Sequence, residues 1–330
     1  MKRIAINGMG RIGRAALKVI LDTPQLDLIA VNDIVNIENI AYLLKYDSVY
    51  GIYEKEVTHD ENNLIVDGKK IKFNTVRNPE ELPWRYNQID VVIESTGLFT
   101  TSDEAAKHIT AGAKTVIISA PTKSLDIPTV VHGVNTKDGK TNVFSCASCT
   151  TNNISPVVEI LNRRVGIKKA IMTTVHAYTA SQAMVDAPSK KNFRMGRAGA
   201  VNIVPTSTGA AIATTKTLPE LIGRFDGVAL RVPIPVGSIS DLTFVTERIV
   251  TVDEINSIFK EEAKSERYKL VLAVTDEPFV SSDIIKSPFA STVDMGMTRV
   301  VDGDLLKVMT WYDNEWGFTN QMIRQILDDE

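Results

Sequence analysis

Apolar positions at the start of the chain change period twice within twenty residues. Residues 3–7, Arg-Ile-Ala-Ile-Asn, form a short apolar run, a glycine-rich stretch interrupts it, and residues 14–21 then carry Ala, Leu, Val and Ile at helical intervals. That order predicts strand, tight turn and helix. A second strand is expected at residues 28–32. Val/Ile-dense runs at 90–94, 115–119, 129–132 and 142–144 suit a parallel sheet covered on both faces. Residues 62–73 read instead as a hairpin turning at Asp67-Gly68, an antiparallel insertion at the sheet edge. From about Gly166 the texture changes. Longer strands are expected at 170–178, 227–233, 240–248, 291–300 and 305–312, the last two joined by a Val-Asp-Gly-Asp hairpin. A capped amphipathic helix fits 251–264, and residues 181–200, poor in apolar side chains and containing Pro188, read as a long loop.

The glycines between the first strand and helix are Gly8, Gly10 and Gly13, a G-x-G-x-x-G motif in strand–turn–helix context. Gly8 permits the turn, Gly10 lets a pyrophosphate approach the backbone, and Gly13 lets the helix pack on the strand. Asp33 ends the second strand twenty residues beyond Gly13, where a carboxylate can accept from ribose hydroxyls and repel a 2′-phosphate. The motif therefore predicts an NAD site. The short turns at Ser95-Thr96-Gly97 and after Ser119 end strands and border the same ligand crevice. The expected fold class is α/β: an N-terminal Rossmann dinucleotide-binding domain, residues 1–148, and a mixed α+β domain, residues 149–314, with a largely antiparallel sheet.

With 330 residues and 44% apolar content, the chain can bury two large cores. Lys plus Arg number 37 against 40 Asp plus Glu, for a net charge of −3, which is not the footprint of a dedicated nucleic-acid binder. No apolar run approaches the roughly 18 residues that span a bilayer. The N-terminus enters a strand without signal-peptide anatomy, and the chain has only two cysteines. The expectation is a cytoplasmic protein without a membrane partner.

Both cysteines lie in Ser-Cys-Ala-Ser-Cys-Thr-Thr-Asn, residues 145–152. Cys149 falls where a short strand passes into a helix, whose terminal N–H groups and dipole favour a thiolate and hence acyl transfer. A Cys-x-x-Cys pair could also be a redox disulfide, half of a zinc site, or two buried thiols. Zinc needs about four ligands. His59, His108, His132 and His176 do not supply them at finger-like spacing, so no metal is expected. A thioredoxin-like pair belongs near a first βα turn. Cys146 reads as a strand residue without a chemical part. His176 near a strand end, Arg231 in an apolar strand and the hydroxyl-rich run at 206–211 offer a base, an anion clamp and an oxyanion cradle, though each has an ordinary structural explanation.

Together these residues resemble the phosphorylating glyceraldehyde-3-phosphate dehydrogenase family along essentially the whole chain. The matching motifs are Ile-Asn-Gly-Met-Gly-Arg-Ile-Gly-Arg (6–14), Leu-Leu-Lys-Tyr-Asp-Ser-Val-Tyr-Gly (43–51), the cysteine run (145–152), Pro-Thr-Ser-Thr-Gly-Ala-Ala (205–211) and Trp-Tyr-Asp-Asn-Glu-Trp-Gly (311–317). The resemblance implies Cys149 as nucleophile and His176 as its base partner, first ion-paired with the thiolate. It implies that Ser148, Thr150, Thr208 and Gly209 bind attacking inorganic phosphate, and that Thr179 and Arg231 hold the substrate's phosphate. It adds Asn7, Arg11, Ile12, Arg77, Ser119 and Asn314 to the cofactor set. A homotetramer is implied, with a loop at 178–200 reaching a neighbouring subunit and a C-terminal helix, about 315–330, packing back on the first domain. The chain departs from common family patterns at Asn153, in place of a frequent second cysteine, at Ser181, and at Val236-Gly-Ser238.

Two other readings stand beside it. Erythrose-4-phosphate dehydrogenases resemble this chain in the cysteine motif and terminal run but usually lack the Ser-Thr-Gly-Ala-Ala run present at 207–211. A non-catalytic nucleotide- or RNA-binding protein would use the Rossmann surface alone.

Overall fold

In a computed structural model of the chain, residues 1–137, 141–189 and 192–328 are described. They divide into two units. The first comprises Met1–Val130, Thr136–Ala147 and Met322–Glu330; the second comprises Val131–Asn135 and Ser148–Gln321.

The first unit is built on ten strands: β1 (Lys2–Asn7), β2 (Leu26–Asn32), β3 (Tyr46–Asp47), β4 (Gly51–Ile52), β5 (Val57–His59), β6 (Asn63–Val66), β7 (Lys69–Asn74), β8 (Val91–Glu94), β9 (Thr115–Ile118) and β10 (Val143–Ser145). Its helices are α1 (Arg11–Leu21), α2 (Ile37–Lys45) and α3 (Ser102–Thr110). Eight strands form one sheet in the order β10-β9-β8-β1-β2-β7-β6-β5. Pairing is parallel from β10 to β7, and β6 and β5 add antiparallel at the edge. The chain direction of the strand order reverses between β1 and β8, the point at which an open α/β sheet forms its ligand crevice. The hairpin turns where the sequence places it. Asp67 and Gly68 have φ of 47° and 76°, the pair of left-handed residues that a two-residue hairpin loop requires.

One expected strand does not form. Of residues 129–132 only Thr129 bridges Ser145, because the chain turns immediately, with Val134 N donating to Val131 O at 3.0 Å. Cys146 likewise lies just beyond β10 rather than within it, although it is buried.

The second unit carries α4 (Cys149–Arg164), β11 (Ile167–Ala177), β12 (Val204–Ser207), α5 (Ala210–Thr217), β13 (Phe225–Val232), β14 (Ser238–Thr246), α6 (Val252–Glu262), β15 (Leu272–Thr275), β16 (Ser291–Val301), β17 (Leu305–Tyr312) and the start of α7 (Trp316–Asp328). Seven strands pair in the order β12-β13-β11-β14-β17-β16-β15, and only β11–β13 and β15–β16 run parallel. The sheet is thus largely antiparallel. Residues of β14 alternate between buried and half-buried, as the two-residue period of a strand requires. Val157, Val158 and Leu161 of α4, Ile255 and Phe259 of α6, and Leu242, Phe244 and Val308 of the sheet share one core. At roughly 1.5–3 kcal/mol per fully buried large apolar side chain, this core is what holds the sheet and α4 in register.

Between β11 and β12 the chain is a loop among the described residues, apart from a short 3-10 turn at Phe193–Gly196. Residues 190–191 of the expected loop and 329–330 of the expected C-terminal helix fall outside the described residues. From Met322 onward, α7 clusters with the first unit, where Lys2 Nζ donates to Ile326 O at 2.8 Å.

Candidate active site

At the C-terminal ends of β1 and β8 lies a crevice of about 320 Å³, lined by residues that include Asn7, Gly8, Gly10, Asp33, Arg77 and Thr96. A Cβ on Gly13 would meet Gly8 O at 1.9 Å, and one on Gly8, whose φ is +98°, would meet Thr96 N at 2.7 Å. These two glycines let protein pack on protein. Gly10 has nothing within 4 Å of where its Cβ would stand, so its backbone is open to a ligand. Gly10 also caps α1 without a side chain. An uncapped helix start opening on a crevice suits the pyrophosphate of a dinucleotide. Asp33 is held by two backbone donors, Met9 N at 2.6 Å on Oδ2 and Val35 N at 3.0 Å on Oδ1, and each oxygen keeps a second lone pair. These residues fit NAD.

The other expected cofactor residues are placed less uniformly. Ile12 and Gly13 lie in the first turn of α1, and Gly97 follows β8 with φ of 73°. Ser119, just after β9, donates its N–H to Glu94 O at 2.9 Å. Arg11 turns its guanidinium to Asp47, at 3.0 and 3.3 Å. Asn7 is committed within the protein: Nδ2 donates to Glu94 Oε2 at 2.6 Å while Oδ1 accepts from Asn32 at 2.7 Å. Asn314 belongs to the second unit, where its Oδ1 accepts from Gly237 N and Ser238 Oγ, both at 3.1 Å.

In the second unit, Cys149 is the first residue of α4, capped by Ser148, whose Oγ accepts from Thr151 N at 3.0 Å. Register explains the rest of the cluster. His176 on β11 stands opposite Arg231 on the parallel strand β13, and Thr174 shares its strand face two residues earlier. Cys149 Sγ lies 3.3 Å from His176 Nε2. On the other side of the imidazole, Nδ1 is 2.6 Å from Arg231 Nη1 and 2.7 Å from Ala177 O. Tyr312, at the end of β17, hydrogen-bonds both Thr150 Oγ1 at 2.9 Å and Thr174 Oγ1 at 2.8 Å, and its ring meets His176 edge-on at 5.9 Å. Thr179 Oγ1 contacts Ser181 Oγ at 2.8 Å. Thr208 Oγ1 accepts from Ala210 N at 3.2 Å, beside Gly209, the cap of α5.

Burial and the helix start act on the Cys149 thiol in opposite directions. Helix position alone predicts a thiolate, but burial pushes the Cys149 thiol up, and the opposing pull of Arg231, Thr150 and the helix-start N–H groups does not overcome it. Burial first, and the Arg231 charge second, hold His176 down at about 3. Burial thus opposes the imidazolium–thiolate pair that the resemblance implies, while the helix start, Arg231 beside the sulfur and the 3.3 Å contact between the two groups work toward a thiolate. Cys146 is pushed up by burial alone and is chemically quiet.

Sequence reasoning missed two sets of residues. Tyr312 lies inside a motif quoted above, but only strand pairing brings its hydroxyl to Thr150 and Thr174. The second is a buried chain beneath the crevice: Trp84 Nε1 donates to His108 Nδ1 at 3.0 Å, and His108 Nε2 meets Glu94 Oε2 at 3.0 Å. Thr96 N also donates to Glu94 at 2.8 Å, and so does the Thr96 hydroxyl. An acidic residue closing a Val-Val-Ile strand was the available signal.

A dinucleotide crevice at a sheet switch point, together with a second unit built on a largely antiparallel sheet that carries a cysteine–histidine pair, is the make-up of an NAD-dependent oxidoreductase. Residues 2–102 match the family model described as glyceraldehyde 3-phosphate dehydrogenase, NAD binding domain, and residues 148–314 match the C-terminal domain of the same family. The chain is 47% identical over 325 residues to glyceraldehyde-3-phosphate dehydrogenase 2 of Streptomyces avermitilis, covering 97% of this chain and 96% of that protein. It is 47% identical over 324 residues to glyceraldehyde-3-phosphate dehydrogenase of Geobacillus stearothermophilus and 45% identical over 324 residues to glyceraldehyde-3-phosphate dehydrogenase 1 of Bacillus subtilis, with the same two coverages. The chain belongs to the glyceraldehyde-3-phosphate dehydrogenase family, and NAD is its cofactor.

Proposed function

We propose that the chain oxidises glyceraldehyde 3-phosphate and captures the acyl group with inorganic phosphate, giving 1,3-bisphosphoglycerate. The observation that carries this reading is the 3.3 Å approach of Cys149 Sγ to His176 Nε2, beside the cationic Arg231. Cys149 loses its proton to His176 Nε2 as sulfur bonds to the aldehyde carbon. That proton passes to the new oxyanion, and Nε2 takes it back as the thiohemiacetal is oxidised to a thioester. Bound NAD supplies the electron-pair acceptor for that oxidation. Thr179 and Arg231 hold the substrate's phosphate. Ser148, Thr150, Thr208 and Gly209 place the attacking phosphate, whose oxygen displaces the Cys149 thiolate. Asn7, Gly8, Gly10, Arg11, Ile12, Gly13, Asp33, Arg77, Thr96, Gly97, Ser119 and Asn314 serve the cofactor.

The presence of Ser-Thr-Gly-Ala-Ala at 207–211 favours the three-carbon aldehyde over erythrose 4-phosphate. Exposed Ile171 and Val228 on one face of the second sheet, and Phe193, Val201 and Ile203 nearby in sequence to β12, support a homotetramer. No helix among the described residues is long and apolar enough to cross a membrane, and a cytoplasmic location is part of this reading. The test is NADH formation from glyceraldehyde 3-phosphate as inorganic phosphate is withdrawn, in the parent and in Cys149→Ala. Turnover should need phosphate and vanish in the variant, with NAD binding retained. Phosphate-independent turnover, or faster use of erythrose 4-phosphate, would overturn the assignment.

A further inference from the structure

The chain's departure at residues 236–238 is built around Asn314, which sits between β17 and α7. Gly237 takes φ of +93°, and a Cβ there would meet Ser281 O at 2.2 Å, so only glycine fits this turn. Its N–H points at the Asn314 side chain, 3.1 Å from Oδ1. A backbone N–H can only donate, so the atom opposite it is the amide oxygen and not the nitrogen. Ser238, the first residue of β14 and 1% exposed, adds a second bond. Its hydroxyl oxygen accepts from Ala177 N at 3.1 Å, which directs the hydroxyl proton to Asn314 Oδ1, also at 3.1 Å. Both lone pairs of Oδ1 are then occupied. The two N–H groups of Nδ2 have no protein partner among the described residues.

That arrangement decides what the side chain can recognise. An asparagine able to turn over offers a ligand either an acceptor or a donor. Asn314 is clamped at its oxygen and offers donors alone. A carboxamide such as that of nicotinamide carries both a carbonyl oxygen and an NH2 group, and a side chain that only donates reads the carbonyl. We propose that Ser238, together with the Gly237 N–H, is a positioning residue for the cofactor. By holding Asn314 Oδ1 it leaves Nδ2 to the ligand, so the protein selects a carbonyl oxygen on the nicotinamide ring and makes no demand on the amino group. The same hydroxyl takes the N–H of Ala177, the last residue of β11, so one side chain anchors that strand end and the amide together. Ser238 acts through Asn314 and touches no ligand itself. The inference rests on the function proposed above and adds to it the group that orients one cofactor contact.

Dissociation constants measured by calorimetry, with no aldehyde present, test the clamp. The probes are NAD and its 3-acetylpyridine analogue, which keeps the carbonyl and carries methyl in place of NH2. The parent should bind the two within roughly fivefold of each other, the worth of one net hydrogen bond. A larger penalty for the analogue means that an acceptor reads the NH2 group, which overturns the proposal. Ser238→Ala releases one lone pair of Oδ1 and lets the amide turn over. NAD can answer a turned amide with its NH2 group and the analogue cannot, so the analogue should lose roughly fivefold against NAD. If Ser238 serves only to hold the end of β11, both affinities fall together and their ratio stays, and the clamp is refuted. Asn314→Asp carries the test should that variant not fold: an acceptor replaces Nδ2, and the ratio should move the same way and further. An unmoved ratio there overturns the proposal as well. Failure of the parent to oxidise glyceraldehyde 3-phosphate would remove the functional reading instead, and these affinities, which need no substrate, would still decide the orientation of Asn314.

Discussion

Glu94 and His108 meet at 3.0 Å in a fully buried pair beneath the dinucleotide crevice. Because Trp84 donates to Nδ1 of His108, the ring proton sits on Nε2 and points at the carboxyl group. The same carboxyl group takes Asn7 and Thr96, which line the crevice. A residue of α3, fourteen positions after Glu94, thereby braces two side chains that line the crevice.

His108→Leu leaves Trp84 Nε1 without its acceptor and Glu94 with one donor fewer. The expected cost is about 3 kcal/mol of stability, since each buried polar group left unpaired costs about 1–3 kcal/mol. NAD affinity should fall with it. Urea titration and quenching of tryptophan fluorescence by NAD measure the two; unchanged NAD affinity in a folded variant would show that the pair supports only the core.

Tyr312→Phe removes the hydroxyl that joins Thr150 to Thr174. A loss of about 1–2 kcal/mol is expected. With Thr150 freed from its partner, KM for inorganic phosphate should rise several-fold while alkylation of Cys149 proceeds at its former rate. A changed alkylation rate with normal phosphate dependence would place the tyrosine's influence on the sulfur instead.

Asp33→Asn keeps a side-chain oxygen for one of the two backbone donors but removes the charge facing a 2′-phosphate. Relative kcat/KM for NADP should improve about tenfold, or ~1.4 kcal/mol. Steady-state rates with both coenzymes settle it, and an unaltered ratio would move the discrimination away from this carboxylate.

His176 also gives stability a pH dependence. Its folded value, about 3, lies below the ordinary 6.5, so between these limits the unfolded chain binds a proton that the native site refuses. Stability is intact above pH 6.5 and falls as pH drops toward 3, at up to ~1.4 kcal/mol per pH unit. The urea midpoint of the parent should therefore decline more steeply below pH 6.5 than that of His176→Asn. Parallel declines would show that the imidazole is protonated in the native site.

What was legible in the sequence was what neighbours along the chain decide. The glycine turn before α1 and the hairpins at Asp67-Gly68 and Asp302-Gly303 follow from backbone conformations those residues alone supply readily. Cys149 at the head of α4 follows from a hydroxyl cap beside it. The Glu94–His108 pair and the placing of Tyr312 and Arg231 around His176 depend on which distant strands pair and in what register, and no local signal encodes that. The surroundings of the thiol divide in the same way: a helix start is visible in sequence, whereas the burial that opposes it is a property of the assembled site.

Asn153 ties α4 to the sheet, its Nδ2 reaching Ala290 O at 3.3 Å, Thr310 Oγ1 at 3.2 Å and Trp311 O at 3.4 Å. The amide lies one turn along α4 from Cys149, so the anchorage that fixes this helix against its neighbours also sets where the thiol stands against His176.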